Sequence, residues 1–268
     1  MNFQEITQYE RKLYNHGIKY VAGIDEVGRG PLAGPFVVSA VILDLEKIFS
    51  RDFENLLEKI ASGDISLNKK PSSKAKKPKT NKDFTEEKNI RNNDVMYKVK
   101  EMEKAKLYTQ IRDSKKVTSK KRSILSEFIK NEAINYTIEV FEPGEIDKLG
   151  VTEVTQRAFF NSVRSLKIKP QYVLTDMFEV GKITKQHQTN IVNGDDKSIS
   201  IASASIVAKV YRDNLMIEMH EKYPKYGFDR HKGYGTKMHM EAIQKFGPCE
   251  IHRNSFEPVK SMLKNSRS

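Results

Sequence analysis

A short apolar run that ends in two acids constrains this chain more than any other feature. Residues 20–24 have the pattern of a buried strand, Asp25 and Glu26 follow it, and a loop rich in glycine and proline comes next. Neighbouring residues of a strand point to opposite faces, so both acids can serve one site only if the strand ends there and the chain bends. Gly28 and Gly30 supply that bend. The pattern predicts the edge of an active site; the alternative is an acidic pair on a solvated turn.

Hydrophobic periodicity divides the rest of the chain into helices and strands. We predict helices over 3–17, 45–61, 119–131, 151–166, 200–223 and 237–246, and strands over 19–24, 35–43, 135–141, 172–176 and 188–192. The short link between the first two strands makes them an antiparallel hairpin. This order predicts an α/β layer fold with a mixed central sheet flanked by helices and a C-terminal helical extension.

Charge and composition favour one class of partner and exclude others. The net charge of +12 favours a polyanion such as nucleic acid, although basic proteins also bind anionic membranes. No apolar run approaches the roughly 20 residues that span a bilayer, and the N-terminus lacks a signal-peptide pattern. We therefore expect a cytoplasmic protein with no membrane association. The single cysteine, Cys249, excludes a Cys-rich zinc site, and the six histidines lack close metal-ligand spacing, so we expect them on the surface or in hydrogen bonds.

Six sequence blocks, in the order typical of one family, span residues 20 to 259, and over them the chain closely resembles ribonuclease HII, the type 2 RNase H family. The blocks are residues 23–35, 113–116, 194–198, 204–213, 231–236 and 251–258. The resemblance implies an RNase H-like fold with C-terminal helices. It also implies a monomeric endoribonuclease that cleaves the RNA strand of RNA/DNA hybrids, incises at ribonucleotides embedded in duplex DNA, and leaves 5′-phosphate and 3′-hydroxyl ends.

The resemblance also assigns residues to roles. The catalytic and metal-binding acids are Asp25, Glu26, Asp176 and Asp195, and the substrate-binding residues are Gly28, Arg29, Gly30, Lys115 and Tyr234. Four convergent carboxylates repel one another unless cations lie between them, and all-oxygen ligands favour Mn²⁺ or Mg²⁺. Two such ions can activate water and neutralise a leaving oxygen. The loop 28–30 matches the family's ribose-reading loop, and Tyr234 is placed to pack on the neighbouring sugar.

Three positions near these residues leave alternatives open. Asp113 could be a further catalytic carboxylate or a loop-capping residue, and the family pattern favours the second reading. Asp196 is the expected solvated neighbour of Asp195. Met177 follows Asp176 where the family usually has glycine, which makes the turn after Asp176 uncertain.

Residues 45–110 differ in texture from the rest of the chain. We predict a catalytic domain over 1–44 and 111–268, and a basic, partly disordered insertion over 45–110 whose segment 68–79 is of low complexity. Residues 68–106 contain thirteen Lys or Arg and six Asp or Glu, a net +7 of the chain's +12. The insertion is either a tolerated surface element or a tethered nucleic-acid-binding arm.

Two other functions compete with the type 2 assignment. A type 3 RNase H shares the metal and the hybrid substrate, but resembles a Gly-Thr-Gly loop where this chain has Gly28, Arg29 and Gly30, and carries an N-terminal binding domain that we do not predict here. A non-catalytic module that binds RNA/DNA hybrids predicts the loss of at least one acid, and all four are present.

Overall fold

The protein is described by a computed structural model that covers residues 2–62 and 84–265. The chain forms two compact units, one of residues 1–45 with 111–268 and the other of residues 46–110. The low-complexity segment predicted over 68–79 lies outside the described residues.

Five strands and eight helices make up the described part of the larger unit, apart from a four-residue helix at the boundary. The strands are β1 Val21–Val27, β2 Phe36–Ile42, β3 Asn135–Phe141, β4 Tyr172–Asp176 and β5 Gln188–Ile191. The helices, numbered along the whole chain, are α1 Phe3–Ile6, α2 Gln8–Asn15, then α3 Leu45–Ile48 at the boundary, α4 Arg51–Ser62 and α5 Phe84–Tyr108 in the smaller unit, then α6 Ser119–Glu132, α7 Pro143–Leu149, α8 Val151–Arg164, α9 Ile199–Lys222, α10 Phe228–His231, α11 Lys237–Phe246 and α12 Val259–Asn265.

The strands form one mixed sheet in the order β3-β2-β1-β4-β5. β1 and β2 are antiparallel, as are β2 and β3, whereas β1, β4 and β5 run parallel to one another. The predicted hairpin and the mixed sheet are therefore confirmed. Because the carboxyl ends of parallel strands meet at one edge, β1 and β4 bring their terminal acids to the same place.

Helices cover both faces of the sheet. On one face, Ala22 and Ile24 of β1 join a buried apolar cluster with Ala158 and Phe159 of α8. On the other face α9 packs so tightly that a Cβ added at Gly23 would lie 2.1 Å from the main-chain carbonyl carbon of Ser200. Small residues at the start of α9 permit this approach, as the sequence predicts.

The smaller unit contains helices that the sequence analysis did not resolve fully. The ring of Phe53 in α4 meets Tyr108 in α5 edge to face at 5.3 Å, and Lys47 pairs with Glu101 at 3.6 Å. Residues 45–61 were predicted as one helix, but Ser50 separates α3 from α4, and its hydroxyl accepts the Phe53 N–H. No helix was predicted over α5.

Other boundaries differ from the predictions for local reasons. The helix predicted over 3–17 breaks at Thr7, whose hydroxyl donates to the Phe3 carbonyl at 2.8 Å and so competes with the helix backbone. Helix α7 was not predicted, although Pro143 at its first position and the capping pair Glu142 and Glu145 mark its start. The strand predicted over 19–24 instead continues to Val27.

The contact between Gly23 and α9 yields a test of the fold. Gly23→Ala should lower the free energy of unfolding by at least about 3 kcal/mol, because both clashing groups are main chain and cannot rotate away. Gly144→Ala is the matched control, since a Cβ there meets nothing within 4 Å. Urea unfolding of both variants measures the difference, and equal stabilities would contradict this packing.

Candidate active site

The two adjacent acids Asp25 and Glu26 lie inside β1 and not after it. They pair with Ser39 and Val38 of β2. The expectation that the strand ends at Ile24 is therefore wrong. The bend that it required is replaced by a change of partners, because β1 pairs with β4 only as far as Ile24 while it stays paired with β2 to Val27. The sheet opens between β1 and β4 at the acids.

Asp25 and Asp176 occupy the edge of this opening. Ile24 pairs with Thr175, so the next residues of the two parallel strands, Asp25 and Asp176, are lateral neighbours on the same face of the sheet. The carboxylate of Asp25 accepts the Glu26 N–H at 2.8 Å and is hydrogen-bonded to the hydroxyl of Ser205 on α9. Both acids are thus held on the side that α9 covers.

Asp195 reaches the same edge through a turn beyond β5. The turn, Gly194–Asp196, is fixed because the Gly194 N–H donates to Asp176 Oδ1 at 2.8 Å. Asp195 is only 5% exposed, and Lys115 Nζ lies 3.6 Å from its Oδ2. The structure therefore brings Lys115, predicted to bind substrate, next to a predicted metal ligand.

Burial and mutual repulsion make these acids hard to ionise. Burial first, and then the charge of Glu26, hold the pKa of Asp25 well above its usual value. Burial and Asp176 raise the pKa of Glu26 to about 7, although the positive charges of Arg29 and Lys115 oppose this shift. Burial and Asp113 raise the pKa of Asp195 to about 6. The site holds more negative charge than its own cations neutralise.

The donor set suits a hard divalent cation. The described residues carry carboxylate oxygens here, and the Oε2 atom of Glu26 is buried without a hydrogen-bond partner. Within residues 2–62 and 84–265 no three acidic, His or Cys side chains stand close enough to hold a metal ion as they are arranged. Asp176 and Asp195 instead face the Gly194 N–H and Lys115.

Two neighbouring acids have structural partners. Asp113 is buried and accepts the Lys115 N–H at 2.8 Å, so it caps the turn that carries Lys115, which is the capping role that the family pattern favours. Asp196 is ion-paired, because Lys116 Nζ lies 2.6 Å from its Oδ2.

The loop after β1 contains the three residues predicted to read the ribose. Gly28 is buried with φ 91°, and a Cβ there would lie 2.3 Å from Nε of Arg212, so its lack of a side chain serves packing. Gly30 is exposed, and a Cβ there would meet nothing within 4 Å, so its backbone is open to a ligand. Arg29 lies over the Phe178 ring at 4.4 Å and donates to the hydroxyl of Thr155 at 3.3 Å.

Two buried arginines hold this loop, and sequence analysis gave them no role. Arg212 donates to the carbonyls of Pro35, Ala33 and Lys232. Arg253 donates to the carbonyls of Gly28, Arg29 and Gly34. Both side chains are fully buried. A charged residue on an apolar helix face, as at Arg212, is the sequence signal that could have identified one of them.

Tyr234 lies on a second loop that packs against the first. The Leu32 N–H donates to the Gly233 carbonyl at 2.9 Å, and a Cβ at Gly233 would lie 2.2 Å from the Ala33 carbonyl oxygen. Tyr234 itself is 42% exposed, and the Arg212 guanidinium lies 5.9 Å from its ring centre. The prediction of an exposed aromatic residue is confirmed.

A buried histidine cluster lies beneath the Tyr234 loop. Nδ1 of His239 is 3.0 Å from the Tyr234 carbonyl and must donate to it, so Nε2 of His239 accepts from Nε2 of His252 at 3.1 Å. Nδ1 of His252 then accepts the Cys249 N–H at 2.9 Å. Burial lowers the pKa of His239 and of His252 to about 4, so this network requires both rings to be neutral.

Comparisons with known proteins decide the family. A model of the family described as Ribonuclease HII matches residues 22–90 and 93–259. Ribonuclease HII of Bacillus cytotoxicus is 37% identical over 263 residues, which cover 98% of this chain and 78% of that protein. The chain belongs to the ribonuclease HII family. It is therefore a ribonuclease H, an endoribonuclease and not a non-catalytic module, and its sequence matches are of type 2 and not type 3.

Solved structures confirm the RNase H-like fold. Ribonuclease H2 from Pyrococcus horikoshii OT3 superposes with a TM-score of 0.61 at 20% identity, over 93% of this chain and 99% of that one. Bst-RNase HIII in complex with Mn²⁺ superposes with a TM-score of 0.57 at 15% identity, over 95% and 73%. The family match includes most of residues 45–110, so the proposed insertion there stays a prediction.

The ribonuclease HII blocks converge in space. Ala33 and His252 form a β-bridge, which joins the first block to the last, and the hydroxyl of Ser205 donates to that of Ser114 at 3.0 Å. None of the helices over the described residues is long and apolar enough to cross a membrane.

The repulsion at Glu26 predicts an effect on stability. In metal-free buffer at pH 8, Glu26→Gln should raise the thermal midpoint by about 2–4 °C, the shift that ~1 kcal/mol produces in a domain of this size. The raised pKa means that ionisation of Glu26 costs stability as pH rises through about 7, so the gain should vanish at pH 5, where the wild-type carboxyl is protonated. Calorimetry at both pH values measures it, and an unchanged midpoint at pH 8 would contradict it.

The histidine cluster predicts the opposite pH trend. Because the pKa values of His239 and His252 are lowered to about 4, the unfolded chain binds protons there between pH 6.5 and 4 that the folded chain does not, so this contribution to stability falls as pH falls. His239→Gln should lose about 1–3 kcal/mol at pH 7.5 by breaking the network, and less at pH 5. Urea unfolding measures both deficits, with His187→Gln on the surface as control; a deficit independent of pH would refute this account.

Proposed function

We propose that the protein hydrolyses the RNA strand of RNA/DNA hybrids and incises at single ribonucleotides embedded in duplex DNA, leaving 5′-phosphate and 3′-hydroxyl ends. Membership of the ribonuclease HII family supports the reaction class. The observation that carries the proposal is the set of buried, mutually repelling acids at the opening between β1 and β4.

Asp25, Glu26, Asp176 and Asp195 would hold two divalent cations, Mn²⁺ or Mg²⁺. The unpartnered Oε2 atom of Glu26 and the raised pKa values support this, because a cation supplies the compensation that the site lacks. The related Bst protein in complex with Mn²⁺ has the same fold, which favours the same class of ion. When bound, the cations supply activation of the attacking water and neutralisation of the leaving oxygen.

The chain's own groups orient the acids. Ser205 and the Glu26 N–H position Asp25, and the Gly194 N–H positions Asp176. These bonds hold each carboxylate before substrate arrives, so little reorganisation is needed during the reaction. Lys115 is exposed over most of its side chain and lies beside Asp195, where its charge can contact a phosphate of the cleaved strand.

Recognition of the ribose is assigned to the two packed loops. The open backbone at Gly30 can reach a 2′-hydroxyl, which is both donor and acceptor and distinguishes RNA from DNA. Arg29 is fixed by Phe178 and Thr155, and the exposed ring of Tyr234 can pack on a neighbouring sugar. Gly28 contributes by admitting Arg212 beneath the loop.

Asp176→Asn tests the assignment. The variant keeps an oxygen that can accept the Gly194 N–H, so the fold and hybrid binding should persist, while cleavage should fall by at least about 10³-fold because a charged ligand is lost. The measurement is the cleavage of an RNA/DNA hybrid, and of a duplex with one ribonucleotide, with Mn²⁺ or Mg²⁺.

Asp196→Asn is the matched control, since Asp196 pairs with Lys116 and is assigned no metal. It should retain most of the activity. Wild-type turnover in Asp176→Asn, or equal losses in both variants, would overturn the assignment of the acids. A wild-type protein that cleaves neither substrate with either ion would overturn the proposed function itself.

A further inference from the structure

Met177 lies in a strained turn at the edge of the acid cluster. It directly follows Asp176 and has a φ of 59°, in the left-handed region. The Phe178 N–H donates to the Asp176 carbonyl at 2.6 Å, which closes a three-residue γ-turn of the rare, positive-φ form around Met177. Glycine adopts such a backbone without strain, whereas a residue with a long side chain does not.

The backbone of this turn is fixed on both sides. The Met177 N–H donates to the Ile191 carbonyl at 3.2 Å, and Asp176 Oδ1 accepts the Gly194 N–H. Phe178, at the end of the turn, supports the guanidinium of Arg29. Met177 therefore stands between a proposed metal ligand and the residue that supports the proposed ribose-reading loop.

The side chain of Met177 leaves this fixed point towards solvent. It is 53% exposed, and Val192, which follows the Ile191 that pairs with Asp176, is 58% exposed. Single exposed apolar residues are common on protein surfaces and need no explanation. Here, however, the exposed side chain coincides with a strained backbone beside the acids, and strain of this kind gathers at functional sites.

We propose that the Met177 side chain is a substrate-contacting residue that packs on the apolar face of a nucleotide adjoining the scissile phosphate. The proposal rests on the proposed function, because it places nucleic acid at Asp176. Methionine suits the role, since its flexible, polarisable side chain adapts to the differing surfaces of sugars and bases. The contact adds to affinity without entering the chemistry, so it should act on binding and KM and leave kcat nearly unchanged.

Four variants separate this contact from the geometry of the turn. Met177→Ala removes the contact but keeps a Cβ, Met177→Gly removes the contact and the strain, and Met177→Leu restores apolar volume. Ile217→Ala on α9 removes another exposed apolar side chain, 43% exposed in the wild type, and is the control for general surface effects. Affinity is measured by the anisotropy of a labelled RNA/DNA hybrid in EDTA, and KM and kcat by cleavage with Mn²⁺.

The Ala and Gly variants should weaken Kd and raise KM by about 5- to 10-fold, the change expected when a side chain loses about half of its apolar burial. The Leu variant and the Ile217 control should stay within about twofold of the wild type. The Gly variant should also unfold at an equal or higher urea concentration than the wild type, because the strain is relieved.

Two results would overturn the proposal. One is a Kd and KM within about twofold of the wild type in both the Ala and Gly variants. The other is a loss confined to the Gly variant, which would assign the effect to the turn. Because Kd is measured without metal and without cleavage, it tests Met177 even if the wild type fails to cleave, a failure that would count against the proposed function alone.

Discussion

Two buried guanidinium groups hold the segments on which this site depends. The loop between β1 and β2 has no regular structure, and its buried carbonyls need donors. Arg212 and Arg253 supply them, and the same carbonyls compensate the cost of burying two charges. Burial lowers the pKa of Arg253 to about 9, which shows how much hydration this side chain has given up. The recognition loop is thus fixed from below by residues that come from α9 and from the C-terminal segment.

Helix α9 relates the acids to that loop. Ser205 faces Asp25 and Arg212 faces Pro35, and the two helix residues lie seven positions apart, which is about two turns and roughly 10 Å along one face. The start of α9 is anchored independently, because the buried carboxylate of Glu10 accepts the Ser198 hydroxyl and the Ser200 N–H. The close contact at Gly23 sets the distance between helix and sheet. One helix therefore positions both the chemistry and the recognition.

Sequence analysis predicted the elements whose signals are local. The strands β3 and β4 and the helix α11 have the predicted bounds, because apolar periodicity and flanking turn residues mark them. The convergence of Asp25 and Asp176 also followed from strand ends. The end of β1 was not predictable in this way, since its partners change at Ile24, and strand pairing is a tertiary property. The roles of Arg212, Arg253 and the histidine network were missed for the same reason: their partners are carbonyls and rings that lie far away in the sequence.

The acid cluster and the recognition segments form one electrostatic unit. The two cations that oppose the raised pKa of Glu26 are Arg29, from the recognition loop, and Lys115, from the turn that Asp113 caps. Neither side chain is committed to a single partner, because Arg29 also lies on Phe178 and Lys115 also faces Asp195. A phosphate that enters the site competes with the acids for these same charges. Since the acids are buried, the loss of that compensation has to be met by another cation, which is why a carboxylate site of this kind and a polyanionic substrate require divalent metal together.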